Sequence, residues 1–446
     1  MYAISKEKVR LHMKRQGIAT QKELAEKMEL SKNQISMLLS HNFNPIKSNA
    51  LKLCDILGVN FDEIIESEQI ELDLDETNLL PDIIQDETIN VSDYEGHDFV
   101  EVRDVLPTRQ YTAIELFAGA GGLALGLEEA GFHSKGLVEL DKYACQTLRA
   151  NRPEWNVIEG DIIEVAEQGI KNFADAPIGE IDLLSGGYPC QAFSYAGKKM
   201  GLSDVRGTMF YYYAKILKET LPKMFLAENV RGLVNHDEGR TLATMIKVFT
   251  DIGYKVQWKV LKALDYDVAQ KRERIVIVGI RNDLVDQYDL SYSFPNPYGY
   301  HLTLRDILQD VPKSEGAKYP ESKKRVLDLV PPGGYWRDLP DEIARDFMGA
   351  SYYSGGGRTG MARRLSWDEP SLTLTCSPAQ KQTERCHPDE TRPFTVSEYA
   401  RIQSFPDDWI FDCSTSNAYK QIGNAVPVNL AKAIGLSIVN VLNKIN

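Results

Sequence analysis

Apolar residues in the first sixty positions recur at helical spacing. Leu24, Ala25, Met28 and Leu30 make one stripe, and Ile35, Leu38 and Leu39 make a second, which predicts two short amphipathic helices. Each stripe has its own start signal. Thr20-Gln21-Lys22-Glu23 and Ser31-Lys32-Asn33-Gln34 both fit the S/T-x-x-E/Q capping box, in which side chains satisfy orphan backbone donors. From Tyr111 the pattern changes. Short apolar runs at Tyr111–Leu116, Gly136–Val138, Ile181–Leu184, Met224–Ala227 and Ile275–Ile280 alternate with helical segments, as strand–helix–strand units around a buried, mainly parallel sheet do. Beyond about residue 300 the alternation breaks, and residues 312–360 are rich in Gly, Pro, Lys and Tyr, which predicts a separate loop-rich region. The last 25 residues, ending LAKAIGLSIVNVLNKIN, predict an amphipathic helix.

Charge separates these parts. Residues 62–104 hold sixteen Asp or Glu against one Arg, a local charge of −15 that leaves +2 for the rest of a chain whose total is −13. Residues 1–61 hold ten Lys or Arg against five Asp or Glu. The total therefore does not exclude a polyanionic partner, because the excess acid is confined to one tract. Residues 62–108 read as an acidic linker with at most transient structure. A length of 446 residues with 43% hydrophobic content predicts two or three folded domains. No run approaches the ~20 apolar residues of a membrane helix, and the N-terminus lacks the apolar core of a signal peptide. Six cysteines with no CxxC pair argue against a disulfide framework and against a metal site. The expectation is a cytoplasmic protein without membrane contact or metal.

Two capped helices joined by a short turn form a helix-turn-helix pattern. On these residues the segment 1–61 resembles the repressor-type DNA-binding domains of bacterial and phage regulators, with Glu29 where a glycine is usual. The resemblance implies an all-α domain whose second helix enters the major groove with Lys32, Asn33, Gln34 and Ser36 near its start.

In an open α/β sheet, ligands sit at the carboxyl ends of the strands, and five clusters fall at such ends. Glu115–Gly122 (ELFAGAGG) brings small residues to a helix N-terminus, which admits close approach and favours a negative group. Gly119–Ala124 also fits the relaxed dinucleotide fingerprint, and a tight turn without ligand is the plain alternative. Glu139 ends the next strand, placed to accept hydrogen bonds from a ribose diol, and Asp161 follows at a position suited to an adenine amino group. Cys190 comes just past a strand, after glycines and a rigid proline. A thiol near a helix N-terminus has more thiolate character, although an inert core cysteine is the common case. Glu228 ends a further strand, and Arg272 and Arg274 stand two apart at a strand start, so both face one side. Two arginines beside a cysteine and a glutamate suit an anionic or carbonyl-rich substrate.

In order and spacing, residues 111–446 resemble a DNA (cytosine-5)-methyltransferase. The match runs through Phe117–Gly122, Glu139, Asp161, Tyr188-Pro189-Cys190-Gln191, Glu228-Asn229-Val230 and Gln270–Arg274. It continues through Arg364-Leu365-Ser366, Glu369–Thr375 and Gly423–Pro427. The fold implied is α/β: a Rossmann-like catalytic domain over 109–299, a smaller target-recognition domain over 300–405, and a C-terminal segment, 406–446, completing the catalytic domain. The activity implied is methyl transfer from S-adenosylmethionine to carbon 5 of cytosine in double-stranded DNA, in a restriction–modification setting.

The resemblance also implies roles. Cys190 adds to carbon 6 of the base. Glu228 holds ring nitrogen 3 and the exocyclic amine, which needs a carboxyl kept partly protonated. Arg274 holds the carbonyl oxygen, and Arg272 supports the glutamate or a phosphate. The base that removes the carbon 5 proton is not named by any motif, and water stays open. The cytosine must leave the duplex, and the run 191–206 has the composition of a closing loop that would bring Gln191, Ser194 and Lys198 to the DNA. Ala196 stands in that loop where a small polar residue is common in the family. Phe117 is placed against adenine, Glu139 on the ribose, Asp161 on the adenine amine and Asn424 across the pocket. Ala118, Gly119, Gly121, Gly122, Leu140, Ile162 and Pro189 line the same pocket. As partners, duplex DNA is implied for the enzyme and operator DNA for residues 1–61, with a monomeric enzyme and a dimer through the N-terminal domain left open. An RNA cytosine-5 methyltransferase on the same fold is one alternative. A DNA-binding regulator with an inactive enzyme domain is the other, disfavoured by the intact Cys190, Glu228 and glycines.

Overall fold

The computed structural model describes residues 6–16, 18, 20–28, 53–54, 56–57, 89–174, 177–189, 208–353 and 358–445. The chain divides into two units, Met1–Gln85 and Asp86–Asn446. In the first, helix α2 (Gln21–Met28) carries Leu24, Ala25 and Met28 of the first predicted stripe, and it is preceded by α1 (Lys6–Arg15), which the stripes did not forecast. Thr20 Oγ1 accepts the Glu23 amide at 3.2 Å, the first expected cap. Val9, Met13, Leu24, Ala25 and Met28 share a small core with Leu53 and Leu57. The second expected helix, with Lys32, Asn33, Gln34 and Ser36, lies outside the described residues.

The second unit is built on a seven-stranded sheet: β1 (Tyr111–Leu116), β2 (Phe132–Glu139), β3 (Val157–Glu159), β4 (Leu183–Gly186), β5 (Met224–Val230), β6 (Tyr254–Lys262) and β7 (Glu273–Arg281). Their order across the sheet is β3-β2-β1-β4-β5-β7-β6. The first five are mutually parallel, and β7 runs antiparallel to both β5 and β6. The apolar runs forecast β1, β4, β5 and β7 because these strands are covered on both faces. They did not forecast β6, an edge strand that alternates and leaves Lys255 and Lys262 exposed. Nor did they forecast β3, which is only three residues long.

Helices cover both faces. On one face, α3 (Gly122–Glu129) packs with the C-terminal helix, and α4 (Lys142–Asn151) joins it at the edge, Leu148 sharing a core with Ala124 and Leu125; on the other lie α5 (Ile162–Gln168), α6 (Met209–Thr220) and α7 (Arg240–Ile252). The chain ends with α8 (Val396–Ile402), α9 (Thr415–Asn424) and α10 (Val428–Leu442). The last of these is the amphipathic helix the sequence predicts, its wet edge narrowed to Asn429, Lys432 and Asn440. Even Ser437 is fully buried in α10, where it meets the Tyr292 hydroxyl at 2.7 Å. The other sides of the helix pack against the sheet and α3. The stretch Thr415–Leu442 is long and apolar enough to cross a membrane, and 83% of its most apolar window is buried inside this fold.

The acidic linker ends earlier than its composition suggested. Residues 89–108 dock on the catalytic unit: Trp258 Nε1 donates to the Val91 carbonyl at 2.7 Å, and Lys259 Nζ to that of Gly96 at 2.7 Å. Phe99–Val100 pairs with Phe294–Pro295, and Val102 is fully buried. The apolar residues scattered among the acids supply the anchors. The region 300–405, expected to be a separate domain, likewise has a smaller core of its own than those bounds suggest. Leu327, Val330, Trp336, Leu339, Met348, Met361 and Cys386 pack together, held by the buried Arg364, which donates to the carbonyls of Leu327 and Val330. The flanking Leu304, Leu308, Phe394, Tyr399 and Phe405 instead join Ala118, Leu125, Leu148 and Trp155 of the catalytic unit.

Candidate active site

The connections leaving β1 and β4 turn in opposite directions, since β1 is followed outward by β2 and β3, and β4 by β5. A crevice opens at the carboxyl ends of such diverging strands. Four of the predicted clusters are brought to that edge, on β1, β2, β4 and β5, and a fifth arrives because β7 runs antiparallel. Arg274, near the start of β7, is paired in register with Val230 at the end of β5.

At the end of β1, Phe117 adopts φ 60°, a left-handed conformation that side chains avoid unless the surroundings impose it. The loop behind it is tied to β2. Glu139 accepts the Gly119 amide on one carboxylate oxygen and the Asp141 amide on the other, both at 2.7 Å. Its carboxylate is thus held at the rim with lone pairs to spare for a diol. Asp161 caps α5 through the Ile163 amide at 2.9 Å and keeps a second oxygen unclaimed by that cap. Ala118 and Ile162 are buried beneath the pocket, while Leu140 is 67% exposed at its mouth. Asn424, exposed at the end of α9, accepts from Cys376 Sγ at 3.0 Å. Gly121 and Gly122 begin α3. The groups expected to hold the cofactor therefore come from β1, β2, the turn after β3 and the C-terminal segment.

The base-binding side centres on Glu228. Its side chain is only 12% exposed, and Arg274 Nε lies 2.7 Å from its Oε1. The N–H is not aimed along that line, so Oε1 finds no well-directed donor among the described residues. Burial pushes the Glu228 carboxyl above its ordinary range, and the charges of Arg274 and then Arg272 only partly pull it back. An upward shift is the direction the expected chemistry needs. Space is tight here too: a Cβ at Gly187 would stand 2.8 Å from Glu228 Oε2, which accounts for the glycine before Tyr188.

Asn229, quoted in the motif but given no task from sequence, has one in the structure. Its amide donates to the Tyr188 carbonyl at 2.8 Å and its own oxygen accepts the Val230 amide at 2.9 Å. Tyr188 is wedged edge-on between Phe210 and Tyr213. The backbone leading through exposed Pro189 to position 190 is thereby anchored to the strand that carries Glu228. Cys190 itself, with Gln191, Ser194 and Lys198, lies outside the described residues.

Arg272 is placed differently from expectation. It is 1% exposed, and its guanidinium donates to the carbonyls of Leu374, Gly423 and Ala425. A residue so enclosed does not hold a phosphate, while its charge still reaches Glu228. No group of three or more His, Cys, Asp or Glu suited to a metal ion occurs among the described residues.

Comparison with known proteins agrees with this geometry. Residues 111–440 match the family model of the C-5 cytosine-specific DNA methylases, and residues 8–69 match the Cro/C1-type HTH DNA-binding domain. The chain is 56% identical over 434 residues to the type II methyltransferase M.Sau96I of Staphylococcus aureus, covering 97% of each. It is 60% identical over 344 residues to M.Eco47II of Escherichia coli, covering 75% of this chain and 80% of that one. Among solved structures, a prophage-encoded Escherichia coli protein assigned as a DNA modification methyltransferase superposes with a TM-score of 0.53 at 25% identity, covering 75% of this chain and 99% of the other. The Dnmt2 methyltransferase of S. pombe, at 18% identity and a TM-score of 0.52 over 75% of this chain and 99% of its own, shares the fold.

Proposed function

The chain belongs to the C-5 cytosine-specific DNA methylases, and from that premise we propose that it transfers a methyl group from S-adenosylmethionine to carbon 5 of cytosine within one specific double-stranded DNA sequence, as the modification half of a restriction–modification system. The observation that carries this reading is the buried Glu228, 2.7 Å from Arg274 Nε, on the same sheet edge as the Tyr188–Pro189 backbone that leads to Cys190.

Each group has a task. The Cys190 thiolate adds to carbon 6 of a flipped cytosine, which pushes electrons to carbon 5. Glu228 donates a proton to ring nitrogen 3 as that charge develops, and Arg274 holds the carbonyl oxygen. S-adenosylmethionine supplies the electrophilic methyl group. Removal of the carbon 5 proton then lets the ring expel Cys190 and regain aromaticity. The pocket fits the cofactor: Glu139 is held at the rim by two backbone amides, Asp161 keeps an oxygen that its helix cap does not use, and the backbone of Phe117 is held in a left-handed conformation at the end of β1. Every group comes from one chain, which supports a monomeric enzyme, and the reading places it in the cytoplasm with the DNA. The similarity to a type II methyltransferase spans 97% of the chain, which favours duplex DNA over RNA. Bisulfite sequencing of DNA from cells expressing the protein should show protected cytosines at one recurring sequence. Methyl groups found only on an exocyclic nitrogen would overturn the assignment.

Residues 1–61 are assigned a second task, binding the operator of the protein's own gene. Their net positive charge and the helix-turn-helix match over 8–69 support it. The full chain should leave a footprint on that promoter that a chain starting at Asp86 does not. Identical protection by both would dismiss the regulatory role.

A further inference from the structure

Gln270, Arg272 and Arg274 alternate along one stretch, so their side chains face the same side. Only the third reaches Glu228. The first two enter a buried polar knot that joins segments far apart in sequence. Gln270 is fully buried, accepts the Leu374 amide at 3.0 Å and donates to Gln403 at 2.6 Å. Gln403, also fully buried, donates to the Ala425 carbonyl. Arg272 serves that same carbonyl at 3.0 Å, the Gly423 carbonyl at 3.0 Å and the Leu374 carbonyl at 3.3 Å.

The two carbonyls of Gly423 and Ala425 flank Asn424, the residue that faces the cofactor pocket. The turn has little freedom on its other side, since a Cβ at Gly423 would meet the Thr375 carbonyl oxygen at 2.3 Å. Asn424 is thus pinned from one side by the 374–376 backbone and from below by the guanidinium fork. A cation enclosed in this way is costly, because burial and the like charge of Arg274 both disfavour it. No carboxylate pairs with it directly, and its Nε finds no acceptor among the described residues. A stability role alone does not explain retaining a charge there, since apolar packing serves as well.

The geometry points to Arg272 as a positioning residue that holds the Asn424 turn of the cofactor pocket in register with the Arg274–Glu228 pair of the base pocket, so that the two half-sites keep the separation methyl transfer requires. This rests on the reading of the site given above. Lysine keeps the charge but not the fork, and a single ammonium cannot span the three carbonyls in the same plane.

The experiment is Arg272→Lys in the full chain, measured below its melting temperature. The KM for S-adenosylmethionine should rise about tenfold or more while kcat falls on the order of 10²-fold, as expected for small misplacements of reacting groups. A residue that only stabilises the fold changes the melting temperature and the active fraction but leaves KM alone. Combined with Asn424→Ala, which should raise KM on its own, Arg272→Lys should add little further, because both act through one turn. An unchanged KM, or full additivity in the double variant, would overturn the proposal. If Arg272→Lys does not fold, Gln403→Met, which removes the shared donor to Ala425 together with the acceptor of Gln270, takes its place with the same readouts. Absence of 5-methylcytosine from the wild-type reaction would instead sink the functional reading itself, so the two failures are distinct.

Discussion

Replacing Cys190 by serine should lower methyl transfer by about 10⁴-fold or more, the scale at which enzymes suffer on losing a covalent nucleophile. A serine hydroxyl stays protonated near neutral pH and is a far weaker nucleophile than a thiolate. Cofactor binding should survive, because the groups proposed for it ride on other strands: Glu139 on β2, Asp161 after β3, Asn424 after α9. The measurement pairs incorporation of labelled methyl into DNA with equilibrium binding of S-adenosylhomocysteine. Loss of the first with retention of the second is the expected outcome. Turnover at the wild-type rate would mean that another group attacks the base.

Glu228→Gln should cost about 10³-fold in kcat, within the range for removing a positioned proton donor. Glutamine matches the shape and can still hydrogen-bond the ring, but it transfers no proton. The pH dependence gives a second handle. Burial raises the Glu228 carboxyl above its ordinary range, opposed by Arg274 and Arg272. The protonated form is the working one, so the wild-type rate should hold at low pH and decline as pH rises through that raised value. In Glu228→Gln this decline should vanish, leaving a slow and flat profile over the same window. A wild-type rate that rose across that window would show that the carboxylate, not the acid, does the work.

Legibility from sequence followed the range of the forces involved. Strand β1 was read at its observed ends, Tyr111 and Leu116, because an uninterrupted apolar run is recorded in neighbouring residues alone. The chemistry-bearing groups were legible for a related reason. Phe117, Glu139, Tyr188 and Glu228 each sit at or just after the end of a strand, and the strand ends themselves are local features. β6 was hidden because an edge strand alternates polar with apolar residues and produces no run. The anchoring of residues 89–108 was hidden because its partners, Trp258 and Phe294, lie more than a hundred residues away. Asn229 illustrates the middle case: its place in the motif was visible, while its grip on the Tyr188 carbonyl was not.

Local pattern, then, determined the α/β class, the capped helix α2, the acid-rich tract and the residues proposed to carry the chemistry. Tertiary structure alone decided what those residues face. Arg272 and Arg274 are indistinguishable by spacing, yet one meets a carboxylate and the other is enclosed by carbonyls 102 and 151 residues further along the chain. The same holds for α10, whose sequence predicts an amphipathic helix, while packing on α3 and the sheet decides that its wet edge is as narrow as Asn429, Lys432 and Asn440. Burial is set by which distant segments close over a side chain, and a one-dimensional pattern holds no record of that closure.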